Sequence, residues 1–222
     1  MPRPLALLFD LDGTLVDSID LILTSFRHTF RTHLGEAPPD ERWMAGVGTP
    51  LVSQIRSLVS DESLVAPMSQ TYRTFQLEHH DRLLKEFEGV RETVTELKAR
   101  GHPIGLVTSK MEDLARRALR RTSLDNLIDV IVAFESSPRH KPDPLPVLVA
   151  LEALGVASQE ALFVGDSPHD IVAGNAADVS TVAALWGPFS AEALRAVKPS
   201  FTLSHIRELP PLVASIETRS KP

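Results

Sequence analysis

The stretch Phe9-Asp10-Leu11-Asp12-Gly13-Thr14-Leu15-Val16 decides the fold, together with the apolar run Leu5-Ala6-Leu7-Leu8 that leads into it. Consecutive apolar residues of this length read as a short strand buried on both faces, as in a parallel sheet. The run ends in two carboxylates one residue apart, followed at once by glycine. Loops at the carboxyl edge of such a sheet are where ligands bind. If the chain stays extended through Asp12, side chains at i and i+2 point the same way, so Asp10 and Asp12 reach into one site. Carboxylates so close repel each other unless a cation or a shared proton intervenes.

Downstream, residues 17–34 carry a helical period, with Ile19, Ile22, Leu23, Phe26 and Phe30 on one side and Asp17 or Ser18 as N-cap. Up to about Lys85 the segments are helical and amphipathic, broken by turns at Ala37-Pro38-Pro39-Asp40 and Gly46-Val47-Gly48-Thr49-Pro50, with no convincing strand. Residues 17–85 are therefore expected to form an all-α insertion, and residues 1–16 with 86–222 a Rossmann-like core. Within that core, strands are expected at Pro103–Thr108, Val130–Val132, Ala161–Gly165 and Ser180–Ala184. Helices separate them, including one opened by Asp143-Pro144 and closed near Gly155 and one from Asp170 to Ala177. A weaker helix, a short strand near Phe201 and a last helix from about His205 complete the chain. The expected fold class is α/β: a parallel sheet covered by helices on both faces.

Bulk properties bound the function. At 222 residues, 43% hydrophobic and 23% charged, the chain has the composition of an ordinary globular protein. A net charge of −6 and a pI near 5.7 argue against a nucleic-acid partner, and an anionic substrate must meet a local positive site. Without cysteine there is no thiolate metal site and no cysteine nucleophile. No apolar stretch approaches the ~20 residues of a membrane span, and nothing at the N-terminus reads as a signal peptide. The expectation is a cytoplasmic protein, monomer or homodimer, with no membrane partner.

The polar residues at the expected strand ends define a chemistry. Asp10 and Asp12 follow the first strand, Thr108 and Ser109 the second, and Asp166 the fourth, while Lys141 lies in the loop after the third. An aspartate can act as a nucleophile through an aspartyl-phosphate, and a second carboxyl group can protonate a leaving oxygen and later deprotonate water. A hydroxyl and an ammonium can hold phosphoryl oxygens. Asp166 and Asp170 add oxygen ligands, and a donor set of carboxylates without thiolates or paired histidines favours Mg²⁺.

These residues carry a resemblance. Asp10-Leu11-Asp12-Gly13-Thr14-Leu15 resembles the first motif of the haloacid-dehalogenase-like phosphatases, Thr108-Ser109 the second, Lys141-Pro142-Asp143-Pro144 the third, and Gly165-Asp166 with Asp170 the fourth. The motifs occur in the family's order across almost the whole chain, and the helical insertion lies where the family's first type of cap domain does. The resemblance implies Asp10 as nucleophile and Mg²⁺ ligand, and Asp12 as general acid/base with its backbone carbonyl on the metal. It implies Thr108, Ser109 and Lys141 as phosphate-binding, and Asp166 and Asp170 as further metal ligands. Among subfamilies the chain is most similar to bacterial phosphoglycolate phosphatases and related cytosolic pyrophosphatases, in residues 88–110, 141–144 and Ala184-Leu185-Trp186-Gly187. Asp178 departs from these relatives, which usually have glycine there.

Weaker features read as structural. Lys110 is expected to be a solvated lysine at a helix start, and His169 an exposed loop histidine. His79-His80-Asp81 lacks a third ligand for zinc, and adjacent histidines point about 100° apart on a helix. Gly46-Val47-Gly48 reads as a flexible loop facing the site, and Phe26, Phe30, Trp43, Tyr72 and Phe75 as core of the insertion. The leading function is Mg²⁺-dependent hydrolysis of a small phosphorylated metabolite, phosphoglycolate first. The nearest rival is pyrophosphate hydrolysis, for which Arg27, Arg31, Arg42 and Arg56 offer a basic insert surface. A sugar-phosphate mutase, a dehalogenase, a receiver-type domain and a silent binding module rank below.

Overall fold

In the computed structural model, which describes residues 4–219, the expected α/β architecture is present. The strands are β1 (Ala6–Phe9), β2 (Val16–Asp17), β3 (Lys85–Glu86), β4 (Ile104–Val107), β5 (Val130–Val132), β6 (Ala161–Gly165), β7 (Ser180–Ala184) and β8 (Phe201–Leu203). The helices are α1 (Ile19–Leu34), α2 (Asp40–Met44), α3 (Leu51–Leu58), α4 (Val65–Leu83), α5 (Val90–Ala99), α6 (Glu112–Arg121), α7 (Leu145–Leu154), α8 (Pro168–Ala176), α9 (Ala191–Ala196) and α10 (Leu209–Arg219). The main sheet has six parallel strands in the order β5-β4-β1-β6-β7-β8. The central strand β1 is flanked by β4 and β6, so the chain order reverses beside it, and a crevice opens at such a reversal.

Period-two alternation divides the core. Leu7 and Phe9 of β1 pack with Val94 and Leu97 of α5 and Ala118 of α6. Ala6 and Leu8 point the other way, onto Val147 and Leu151 of α7 and Ala173 of α8. Every β1 side chain is therefore buried, which is why the strand reads as an unbroken apolar run.

Between β2 and β3, helices α1 to α4 enclose a separate cluster of Phe26, Phe30, Trp43, Ile55, Met68 and Tyr72. Phe26 stacks on Trp43 with ring centroids 4.7 Å apart. Phe75 is the exception: it is half-buried between the rings of His28 and His79, at 4.4 and 4.0 Å. The segment's two edges pair as an antiparallel ribbon, Val16 with Glu86 and Asp17 with Lys85, where no strand was expected. Two-residue strands show no periodicity to read. The outer bounds of the core, at residues 1 and 222, lie outside the described residues. Asp178 adopts φ 57°, the left-handed conformation in which glycine is most at ease.

Candidate active site

Asp10 is the first residue beyond β1, and its N–H donates to Val164 O of β6 at 3.0 Å, so the neighbouring strand sets where its side chain emerges. The chain then turns tightly: Leu15 and Val16 donate to Leu11 O at 2.9 and 3.0 Å, and Gly13 to Val16 O at 2.8 Å. Leu11 and Leu15 are wholly buried and pin the turn from below, while Asp10 and Asp12 line a cavity of about 100 Å³ between the sheet edge and the helical insert. Gly13 has φ 88°, and a side chain there would meet Asp166 Oδ2 at 2.5 Å. Glycine both permits the turn and leaves room for the carboxylate.

Lys141 sits at the centre of the charge cluster. Its Nζ donates to Asp10 Oδ1 at 2.7 Å, to Asp170 Oδ1 at 2.6 Å and to Val107 O at 3.0 Å, which uses all three ammonium protons. Burial pulls its pKa down, but Asp10 and Asp170 outweigh burial and hold it above the ordinary lysine value. Asp170 Oδ2 accepts from the N–H and Oγ of Ser167, at 3.0 and 2.7 Å, closing a capping box at the start of α8. Asp170 thus caps the helix and anchors Lys141 at once.

Asp10, Asp166 and Asp170 each offer an oxygen, all within 4.8 Å of one another, and Lys141 pairs with two of them, Asp10 and Asp170. Thr14 Oγ1 donates to Asp166 Oδ1 at 2.6 Å, whereas Asp166 Oδ2 is buried without a partner. Burial raises Asp10 to about 7 against the pull of Lys141, with Asp170 and Asp12 adding to the rise. Burial likewise pushes Asp166 well up, helped by the charges of Asp170 and Asp10. An orphaned carboxylate oxygen and unbalanced negative charge fit a hard divalent cation. Among the described residues no other group of histidines and carboxylates is arranged to hold a metal, and His79 and His80 form no such group.

Asp12 faces elsewhere. Its Oδ1 accepts from Ser18 Oγ at 2.6 Å, and Lys110 Nζ bonds both carboxylate oxygens at 2.7 and 2.8 Å. Burial pushes the Asp12 carboxyl up, but Lys110 and Ser18 outweigh it and hold it below the usual range. Lys110 is therefore no solvated helix-start residue: its side chain is 7% exposed and lies in the site. Ser18 occupies the N-cap position of α1 but gives its hydroxyl to Asp12 and makes no cap bond. Thr108 lines the cavity and accepts from the Lys110 N–H at 3.2 Å, and Ser109 donates to Gly48 O at 2.7 Å. The Gly46-Val47-Gly48 loop does face the site, since a side chain at Gly48 would meet Ser167 Oγ.

The residues singled out in the sequence thus converge on one sheet edge. Reasoning from sequence overlooked the roles of Thr14 and Lys110, whose partners are carboxylates far along the chain, of Ser18, bonded to Asp12 six residues away, and of Ser167, in a capping box. Thr14 and Ser167 lie inside the quoted motifs and were within reach; Lys110 was hidden because its partner is 98 residues away. His169 is the second residue of α8 and half-buried, not an exposed loop residue. Arg27 pairs with Asp40 and Arg56 with Glu62, Arg31 and Arg42 are exposed, and none of the four lines the cavity. The insert arginine that does is Arg73.

Comparison with known proteins agrees with this geometry. A family model for haloacid dehalogenase-like hydrolases matches residues 7–184. The chain is 38% identical over 209 residues to the pyrophosphatase PpaX of Bacillus cereus, covering 94% of this chain and 96% of that protein. Among solved structures, a haloacid dehalogenase-like hydrolase from Streptococcus pneumoniae superposes with a TM-score of 0.83 at 25% identity, covering 96% of this chain and 99% of that one. A candidate phosphoglycolate phosphatase from Lactobacillus plantarum superposes with a TM-score of 0.85 at 26% identity, covering 95% and 100%. The chain belongs to the haloacid dehalogenase-like hydrolase family.

Proposed function

We propose that this protein is a Mg²⁺-dependent phosphatase working through an aspartyl-phosphate on Asp10, with inorganic pyrophosphate as its first substrate. The observation that carries the chemistry is the Lys141 ammonium, which holds Asp10 Oδ1 at 2.7 Å and leaves the second oxygen of Asp10 for attack. The PpaX similarity, over 94% of the chain, moves pyrophosphate ahead of phosphoglycolate, which the motif resemblance alone ranks first.

Asp10, Asp166 and Asp170 would hold the cation, which when bound neutralises phosphate and carboxylate charge. Asp10 forms a bond to phosphorus as the bond to the leaving oxygen breaks, and Asp12, once released from Lys110 and protonated from solvent, gives that oxygen a proton. Asp12, then a carboxylate, takes a proton from water as the water oxygen attacks phosphorus and the bond to Asp10 breaks. Phosphate leaves and both aspartates are restored. Thr108 holds a phosphoryl oxygen, Lys141 steadies the charge of the nucleophile Asp10, and residues 17–85 act as a cap that excludes bulk water.

The test is phosphate release with Mg²⁺ from pyrophosphate, phosphoglycolate, sugar phosphates and nucleotides. Wild type is expected to turn over pyrophosphate fastest, and Asp10→Asn to turn over nothing while remaining folded. Equal rates for wild type and Asp10→Asn across the panel would end the phosphatase reading. Phosphoglycolate as the best substrate would reverse the ranking.

A further inference from the structure

Three cationic side chains stand at the candidate site, and they are not equivalent. Lys141 is spent on Asp10 and Asp170, and Lys110 on Asp12. Arg73, on the face of α4 toward the cavity, has no ion pair or hydrogen bond among the described residues. Among the described residues it is the one charged group lining the cavity that lacks a counter-ion, Asp10, Asp12 and Lys110 being paired. A half-buried guanidinium without an acceptor forgoes its charge-assisted bonds, whereas Arg27, Arg56 and Arg117 all find carboxylates.

Its neighbours on α4 are also donors. The Tyr72 hydroxyl accepts from Gln76 Nε2 at 3.3 Å, so its own proton is free to be given, and no acceptor for it is present among the described residues. Burial, with the charge of Asp12, pushes the phenol up, so it stays protonated. Tyr72, Arg73 and Gln76 line the same cavity as Asp10, Asp12 and Lys110. The helical insert therefore offers donors and a positive charge opposite the sheet edge. A neutral or apolar leaving group would leave these donors unpaired; an anionic one would satisfy them.

We infer that Arg73, with the Tyr72 hydroxyl and the Lys110 ammonium, forms a subsite for an anionic leaving group: the second phosphoryl of a diphosphate, or the carboxylate of a small phospho-acid. This rests on the phosphatase reading above and adds the property by which the insert selects substrate. Lys110 has a double position, since an anion in the subsite competes with Asp12 for its ammonium. Arg73 is a binding residue for the leaving group and takes no part in the bond changes at phosphorus.

The experiment compares Arg73→Met, Arg73→Lys and wild type on pyrophosphate and on para-nitrophenyl phosphate, which share the transferred group but differ in leaving-group charge. Arg73→Met is expected to lower the ratio of kcat/KM for pyrophosphate over that for para-nitrophenyl phosphate by about 30-fold, the size of a lost charge-assisted bond. The loss is expected mainly in KM, with part of it restored in Arg73→Lys. Competitive inhibition by methylenediphosphonate is expected to weaken in parallel, with an unchanged thermal midpoint. An unaltered selectivity ratio, or Arg73→Lys no better than Arg73→Met, would overturn the subsite. Should wild type hydrolyse neither compound, the phosphatase reading itself fails, a result separate from any effect at Arg73.

Discussion

Lys110 Nζ grips both oxygens of Asp12, at 2.7 and 2.8 Å, across 98 residues of sequence. The pair fastens the helix-opening end of β4 to the turn after β1, where Ser18 adds its hydroxyl. Because the folded Asp12 carboxyl titrates below its unfolded value, the stability it contributes is present above the unfolded pKa. That stability is lost as pH falls through the folded pKa.

Lys110→Met is accordingly expected to destabilise the protein by about 1–3 kcal/mol at pH 7, since it strands a mostly buried carboxylate. The deficit is expected to shrink as pH falls below the ordinary carboxylate range, because protonation of Asp12 removes the pair. Urea denaturation of the two proteins at pH 7 and pH 3 reads the difference. A deficit of the same size at both values would mean that the ion pair is not its source.

Asp10 carries the opposite linkage. With no cation bound, its folded pKa near 7 lies above the unfolded value, so the folded state binds more protons between about pH 4 and pH 7 and loses stability as pH rises through that window. Asp10→Asn is expected to stabilise the chelator-treated protein at pH 8 by an amount on the order of 1–3 kcal/mol, seen as a raised thermal midpoint, and to do less at pH 4.5. Added Mg²⁺ is expected to stabilise wild type more than Asp10→Asn. An Asp10→Asn protein less stable than wild type at pH 8 would contradict this.

Gly187, in the loop after β7, leaves space that a side chain would take from Asp166, because a Cβ there would overlap the Asp166 Cβ. Gly187→Ala is expected to displace Asp166 and raise the Mg²⁺ concentration for half-maximal activity at least ~10-fold. Mg²⁺ titration by activity and by calorimetry checks it, and an unchanged affinity in both assays would show that Asp166 does not hold the cation.

Asp178 tests a position away from the site. At φ 57°, Asp178→Gly removes steric strain but frees the unfolded chain, so a net stabilisation of no more than about 1 kcal/mol is expected, with turnover unchanged. Thermal unfolding and kinetics with one substrate suffice to measure both.

Much of this arrangement is written in the local pattern of the sequence. The run into Asp10 reads as a buried strand because β1 faces helices on both sides, and the strands at Val130–Val132, Ala161–Gly165 and Ser180–Ala184 are where their apolar runs place them. The last helix begins at Leu209, later than the periodicity from His205 suggests, because Ile206–Glu208 form a single 3-10 turn first. The ribbon of β2 and β3 escaped notice because pairing between segments almost 70 residues apart, each two residues long, leaves no local pattern.

Apolar periodicity along the chain fixes the strand-and-helix alternation and where each strand ends, and the parallel topology gathers those ends, bringing Asp10, Asp12, Thr108, Lys141, Asp166 and Asp170 to one edge. How the charges are shared is set by the packing of the folded chain. Lys141 went to Asp10 and Asp170, Lys110 to Asp12, Thr14 to Asp166, and Arg73 was left facing the cavity without a counter-ion among the described residues. Periodicity is a property of neighbours along the chain, whereas an ion pair depends on approach to within 3 Å or so of groups far apart in it, and burial then sets what that approach is worth.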